Sequence, residues 1–302
     1  MSTAAVRISQ LEKSFGLSFA LGPISLEIPT GVICALVGPN GAGKTTLMNL
    51  LMGIGRPDEG AAVLLGHNVQ LDEVAVKRRV AFVSPDLDYR AWGTVGRAID
   101  FISAFYPDWN AQRCEKLLFD FGLHRSERID ALSFGAHVKL SVLLALSREP
   151  DLLLLDEPTA GLDPLARQLL FTELLKYMQD ERRTIVVSSH QLAELERFAD
   201  HVVMLNAGQI VTFGAIPDVL ERYVQLDVVV KPERSLPRTG VHVLARDGNR
   251  VRLLVDRKVL PAGIGFPGVE IVGECALTLE ELFVALIKGA GVTRRQIRMV
   301  AA

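Results

Sequence analysis

The chain has 302 residues, of which 49% are hydrophobic, enough to bury one large core or a large and a small one. Its 33 Lys and Arg stand against 35 Asp and Glu, a formal net charge of −2 with both signs interspersed. That leaves no basic stripe or tail of the kind nucleic-acid binding uses, so no nucleic-acid partner is expected.

In chain order, the first informative element is the apolar run Val32-Ile33-Cys34-Ala35-Leu36-Val37, which reads as a strand. It runs directly into Gly38-Pro39-Asn40-Gly41-Ala42-Gly43-Lys44-Thr45-Thr46, and Leu47, Leu50 and Leu51 then mark an amphipathic helix. The spacing G-x-x-x-x-G-K-T has a physical reason. Glycines let consecutive backbone N–H groups turn inward around phosphate oxygens, and the helix that follows adds the positive end of its dipole. Lys44 would neutralise the outer phosphates and Thr45 would offer its hydroxyl to Mg²⁺, so the loop predicts binding of a nucleoside triphosphate with that cation.

Between residues 85 and 135 lie Tyr89, Trp92, Phe101, Phe105, Tyr106, Trp109, Phe119 and Phe121. Phe101 and Phe105 share helical spacing with Ala98 and Ile102, which predicts core positions for most of these rings. Tyr89 and Trp92 lie in a loop-like stretch beside Asp88, Arg90 and Gly93 and are candidates for gripping a partner helix. Leu132-Ser133-Phe134-Gly135-Ala136 then opens a helical run over 138–147, with Ser133 suited to cap it.

Leu152-Leu153-Leu154-Leu155 lacks alternation and predicts a strand buried on both faces of a parallel sheet, with Asp156 and Glu157 emerging at its C-terminal end. A third such run, Thr184-Ile185-Val186-Val187-Ser188-Ser189, stops at His190. Ligands of open α/β sheets sit outside the carboxyl ends of the strands, so the loop after Val37, the pair Asp156 and Glu157, and His190 are expected to converge there. Asp156 would orient Mg²⁺ opposite Thr45. Glu157 would position or deprotonate the water that attacks the γ-phosphate, and His190 would contact that phosphate.

The order of these motifs over about residues 5–220 resembles the ATPase subunit of ATP-binding cassette (ABC) transporters. The resemblance implies a P-loop α/β fold with a mixed sheet core, an antiparallel β subdomain and a helical subdomain at about 86–147. Phe15, ahead of the first strand pair, matches the aromatic position that stacks on adenine; an ordinary core role is the other reading. The segment 132–136 takes the place of the family's LSGGQ signature, and Gly161-Leu162-Asp163-Pro164 matches the loop that crosses the dimer interface. Family architecture implies a head-to-tail dimer in which Ser133 and Gly135 of one subunit close on the γ-phosphate held by the other's P-loop.

The chain departs from that pattern in two places. Phe134 and Ala136 stand where the signature has Gly and Gln. The Gln that follows the strand near residue 83 is replaced by Pro85 or Asp86; Asp86 has two open readings, an acceptor for Mg²⁺ or water and a solvated surface residue.

After about Tyr223 the runs 226–230, 241–244 and 251–255, with an Asp247-Gly248 turn, predict a small β-rich C-terminal domain. Its closing helix would be capped by Thr278 with Glu281 three residues on. The expected division is therefore 1–222 for the ATPase and 223–302 for the accessory α+β domain. Cys34, Cys114 and Cys275, odd in number and set among apolar residues, read as reduced core cysteines, and no zinc site is expected. The start has no signal-peptide core and apolar runs such as 142–146 are cut by charge, so the chain is expected not to span a membrane. The reading is a cytoplasmic ATPase, peripheral on the membrane's inner face. It would dimerise with a second ATPase subunit, the same chain or another, and drive a separate permease, as in exporters.

Overall fold

The computed structural model describes residues 4–16, 18–189, 192–231, 236, 239–259 and 269–287. The chain starts with β1 (Ala4–Phe15) and β2 (Phe19–Pro29), an antiparallel pair in which Val6, Ile8 and Leu11 face inward. Then come β3 (Ile33–Val37), α1 (Lys44–Leu51), β4 (Glu59–Leu64), β5 (His67–Asn68), α2 (Glu73–Arg79) and β6 (Val80–Val83). A helical stretch holds α3 (Val95–Ser103), α4 (Ala111–Phe121) and α5 (Phe134–Leu146). It leads to β7 (Leu152–Asp156), α6 (Pro164–Tyr177), β8 (Thr184–Ser188), α7 (Leu192–Leu195), β9 (His201–Asn206) and β10 (Gln209–Ala215). The C-terminal part has α8 (Ile216–Arg222), β11 (Tyr223–Val230), β12 (Val241–Asp247), β13 (Arg250–Asp256), β14 (Val269–Cys275) and α9 over residues 279–287.

Two sheets frame the first part. One is antiparallel, in the order β2-β1-β4-β5; the other has the order β10-β9-β3-β8-β7-β6. Within the second, β9, β3, β8, β7 and β6 run parallel. Every residue of β3, β6, β7 and β8 is buried, as expected of strands covered on both faces. Leu47, Met48 and Leu51 of α1 share one core with Ile8 and Leu11 of the antiparallel sheet and with Leu36, Leu154 and Val186 of the parallel one.

In the helical stretch α5 is apolar almost all round and correspondingly buried at Val138 and from Leu140 to Leu146. Its end is fixed by Arg148, which lies 3.8 Å over the Tyr106 ring and donates to the carbonyls of Lys77 and Val80. The aromatic expectation for α3 and α4 needs correction. Ala98 and Phe121 are buried, but Phe105 is 62% and Phe119 86% exposed, and Phe101 is also exposed. Helical spacing placed these rings on a stripe without saying which stripe faces the core, and α3 turns Ala98, Ile99 and Val95 inward instead.

Contacts divide the chain into residues 1–190 with 198–210, and residues 191–197 with 211–302. The division falls ahead of the composition change near Tyr223 because α8 belongs with the strands that follow it: Arg222 forms a paired ion bridge to Asp256, and Arg257 N–H donates to Arg222 O. The second unit is a sheet in the order β12-β13-β11-β14 with a core of Val224, Leu226, Val228, Val251, Leu253 and Val255. The strand β14 was not read from the sequence. Thr278 and Glu281 form the expected reciprocal cap of α9, with Glu281 accepting from Thr278 N–H and Glu281 N–H donating to Thr278 Oγ1. Cys34 and Cys114 are buried as expected, whereas Cys275 is exposed on β14. Among the described residues no helix is long and apolar enough to cross a membrane.

Candidate functional site

The loop after β3 is held by its own backbone and by one lysine. Gly43 takes φ 107°, and a Cβ there would lie 2.8 Å from Leu21 Cδ1 and 2.9 Å from Phe19 Cζ. A Cβ on Gly38 would lie 2.4 Å from the Leu205 carbonyl oxygen of β9. Ala42 N–H donates to Pro39 O and Ala42 O accepts from Gly208 N–H, which pins the loop's crest. Lys44, at the start of α1, buries its side chain under the loop, where Nζ donates to Gly38 O at 2.8 Å and reaches Pro39 O at 3.5 Å.

The strand register carries the other half of the site. Leu36 of β3 pairs with Ser188 of β8, and Ser188 pairs with Asp156 of β7, so three strand ends stand side by side. Asp156 is only 2% exposed and accepts a 2.6 Å hydrogen bond from Ser188 Oγ. Glu157 follows in the left-handed region at φ 47°, its N–H donating to the same Ser188 Oγ at 2.9 Å. Its Oε1 comes 3.9 Å from Lys44 Nζ. A cleft of about 630 Å³ results, lined by Asn40, Gly41, Ala42, Gly43, Lys44, Thr45, Thr46 and Glu157 together with Ser18 and Phe19.

Phe15 ends β1 rather than preceding it, and pairs across the hairpin with Phe19, ring centroids 6.1 Å apart. Phe19, unlike Phe15, was not picked from the sequence, yet it lines the cleft. Asp86 is exposed beyond β6, with its N–H 3.3 Å from Ser84 Oγ. His190 lies outside the described residues.

Ser133, Gly135 and Asp163 belong to a second group at the starts of α5 and α6. Ser133 caps α5 by accepting from Ala136 N–H, and Asp163 caps α6 by accepting from Ala166 N–H. The Ala166 N–H holds the Asp163 carboxyl below the usual carboxylate range. A Cβ on Gly135 would lie 2.5 Å from Gly161 O, and one on Gly161 would lie 2.4 Å from the Phe134 ring. The signature-like segment and the 160–163 loop are thus packed backbone to backbone, with Phe134 folded over Gly161 and still 52% exposed.

A family model described as ABC transporter matches residues 21–160. Over 235 residues the chain is 32% identical to the "Nod factor export ATP-binding protein I" of Burkholderia orbicola (strain AU 1054), a match that covers 76% of this chain and 77% of that protein. The chain belongs to the ABC transporter ATP-binding family. As an ABC ATPase subunit it binds and hydrolyses ATP. A solved structure titled as the ATP binding subunit of an ABC transporter superposes with a TM-score of 0.64 at 26% identity, covering 72% of this chain and 92% of that one. A dimeric ATP-binding cassette in a post-hydrolysis state with ADP and Pi shares the fold, with a TM-score of 0.62 at 20% identity over 70% of this chain and 98% of that one.

Besides Phe19, sequence reasoning misses Ser188. Its signal was the pair of hydroxyls, Ser188 and Ser189, closing an otherwise apolar strand.

Proposed function

We propose that the protein is the ATPase of an exporter, dimerising on ATP to drive a separate membrane permease from the cytoplasmic face of the membrane. The observation that carries the chemistry is the placing of Lys44 and Glu157 across one cleft, with Asp156 buried at the adjoining strand end. In this reading Gly38 to Thr46 wrap the phosphates and Lys44 neutralises them. Glu157 accepts the proton of, or orients, the attacking water. His190 is assigned the γ-phosphate contact by its place in the motif order.

A hard cation fits the donor set. Thr45 offers a hydroxyl and Asp156 a carboxylate, while among the described residues no three His, Cys, Asp or Glu cluster to hold a metal by themselves. That combination suits Mg²⁺, which takes few protein ligands and shares the phosphates. Thr45 and Asp156 would hold it, and it would offset charge on the transferring phosphoryl group; Asp86 is the open third candidate.

Dimerisation is supported by the second group. Ser133 and Asp163 close caps on their own helices, Gly135 packs on Gly161, and Phe134 beside them is exposed. Export is supported by the likeness to the Nod factor export protein of Burkholderia orbicola. Tyr89 and Trp92, ring centroids 5.7 Å apart, continue through Trp92 and Phe101 at 5.5 Å to Phe105 at 5.1 Å, an aromatic ladder suited to a permease helix. Phe134 also favours a second reading, a regulatory ABC ATPase with weak turnover, because a bulky ring stands where close backbone approach is expected.

Purified Glu157→Gln protein tests the first reading, and turnover of the unsubstituted protein comparable with ordinary ABC ATPases removes the second. ATP binding retained, hydrolysis lost and an ATP-dependent dimer on size-exclusion chromatography are the expected results. Hydrolysis that survives the substitution removes the role given to Glu157. A monomer with ATP bound points to a different ATPase subunit as the partner.

A further inference from the structure

We infer that Ser188 is a positioning residue for hydrolysis, one hydroxyl that sets both acidic groups of the site; this rests on the roles proposed for Asp156 and Glu157. The Ser188 hydroxyl has one proton and two acceptor lone pairs. The proton goes to Asp156 Oδ1 at 2.6 Å, and a lone pair accepts the Glu157 N–H at 2.9 Å. Ser188 is fully buried, so water does not compete for either bond.

Each bond has a specific consequence. The bond to Asp156 Oδ1 fixes the plane of a buried carboxylate and leaves Oδ2 as the oxygen that a cation can claim. Such outer partners orient metal-binding carboxylates, and their loss typically costs affinity or activity. The bond from Glu157 N–H stabilises a backbone that turns at φ 47°, a conformation a non-glycine residue adopts only when its surroundings hold it. That turn lets Glu157 leave the line of β7 toward Lys44 rather than continue along the strand. Ser188 can do both only because β8 lies between β3 and β7 with Ser188 in register with Leu36 and Asp156. The carboxylate expected at the cation and the one expected at the water therefore do not move independently.

The test compares Ser188→Ala, Ser188→Cys and Ser188→Thr with Asp156→Asn and Glu157→Gln as controls. Cys keeps the buried volume but donates weakly, whereas Thr keeps the hydroxyl. Steady-state kcat and KM for ATP are measured, with Mn²⁺ affinity by EPR in the presence of a non-hydrolysable ATP analogue and nucleotide affinity in EDTA. Expected for Ala and Cys is a fall in kcat of about 10–100-fold, weaker Mn²⁺ binding, unchanged nucleotide affinity in EDTA, and recovery of kcat with Thr. The proposal is overturned by wild-type kcat in Ala and Cys while the controls are inactive, by a kcat loss with unaltered Mn²⁺ affinity, or by losses that track the melting temperature and extend to nucleotide affinity in EDTA. Active controls would instead overturn the reading of Asp156 and Glu157 on which it rests.

Discussion

The phosphate loop with its facing carboxylates and the segment 132–136 with its neighbour loop 160–163 lie on the same compact unit but are finished differently. In the first, polar groups are turned toward each other around an open cleft: Lys44 to Gly38 O, Asp156 to Ser188, Glu157 toward Lys44. In the second, the polar side chains are spent on helix caps, and what faces outward is Phe134. One region can hold a nucleotide within a single chain. The other offers helix N-termini and an exposed ring, which become useful against something outside the chain. The difference predicts that binding and turnover are separable in this protein.

Paired glycine substitutions test that separation most sharply. Gly38→Ala puts a Cβ 2.4 Å from Leu205 O, a backbone atom of a buried strand that cannot give way cheaply. We expect ATP binding by the isolated chain to be lost, read by calorimetry with MgATP. Gly135→Ala makes a clash of the same size, 2.5 Å from Gly161 O, but in the second region. The expected outcome there is unchanged nucleotide affinity in the monomer and turnover reduced by about tenfold or more, as for loss of one phosphate-facing element of a catalytic site. If Gly135→Ala abolished nucleotide binding, the two regions would not be separable and the comparison would break. The smallest effect is expected from Ser133→Ala, which removes the α5 cap at about 1 kcal/mol. In a domain of this size that is a drop in melting temperature of roughly 2–4 °C. A much larger fall in ATPase activity than in stability would sharpen the comparison by giving Ser133 a role beyond its cap.

Legibility differed between these regions for a physical reason. The phosphate loop could be read because its geometry is local: glycine spacing, a strand before and a helix after suffice. The strands β3, β7 and β8 could be read because strands buried on both faces are continuous apolar runs. By contrast β14 was missed because Val269-Glu270-Ile271-Val272-Gly273-Glu274-Cys275 carries little apolar pattern, as suits a mostly exposed edge strand. The expectation that most rings of this stretch are core fails at Phe101 and Phe105 because a stripe of rings at helical spacing has no direction in sequence. The close packing of Gly135 on Gly161 was likewise invisible, since it joins residues that neither period nor motif links.

The sequence by itself determined the nucleotide class, the strands that end at the site and the acidic pair that emerges beside the phosphate loop. Tertiary structure alone decided that β8 lies between β3 and β7, and hence that Ser188 holds Asp156 and Glu157 together. Motifs record what each segment can do alone; which segments become neighbours is set by sheet order, which depends on the whole core rather than on any stretch of it.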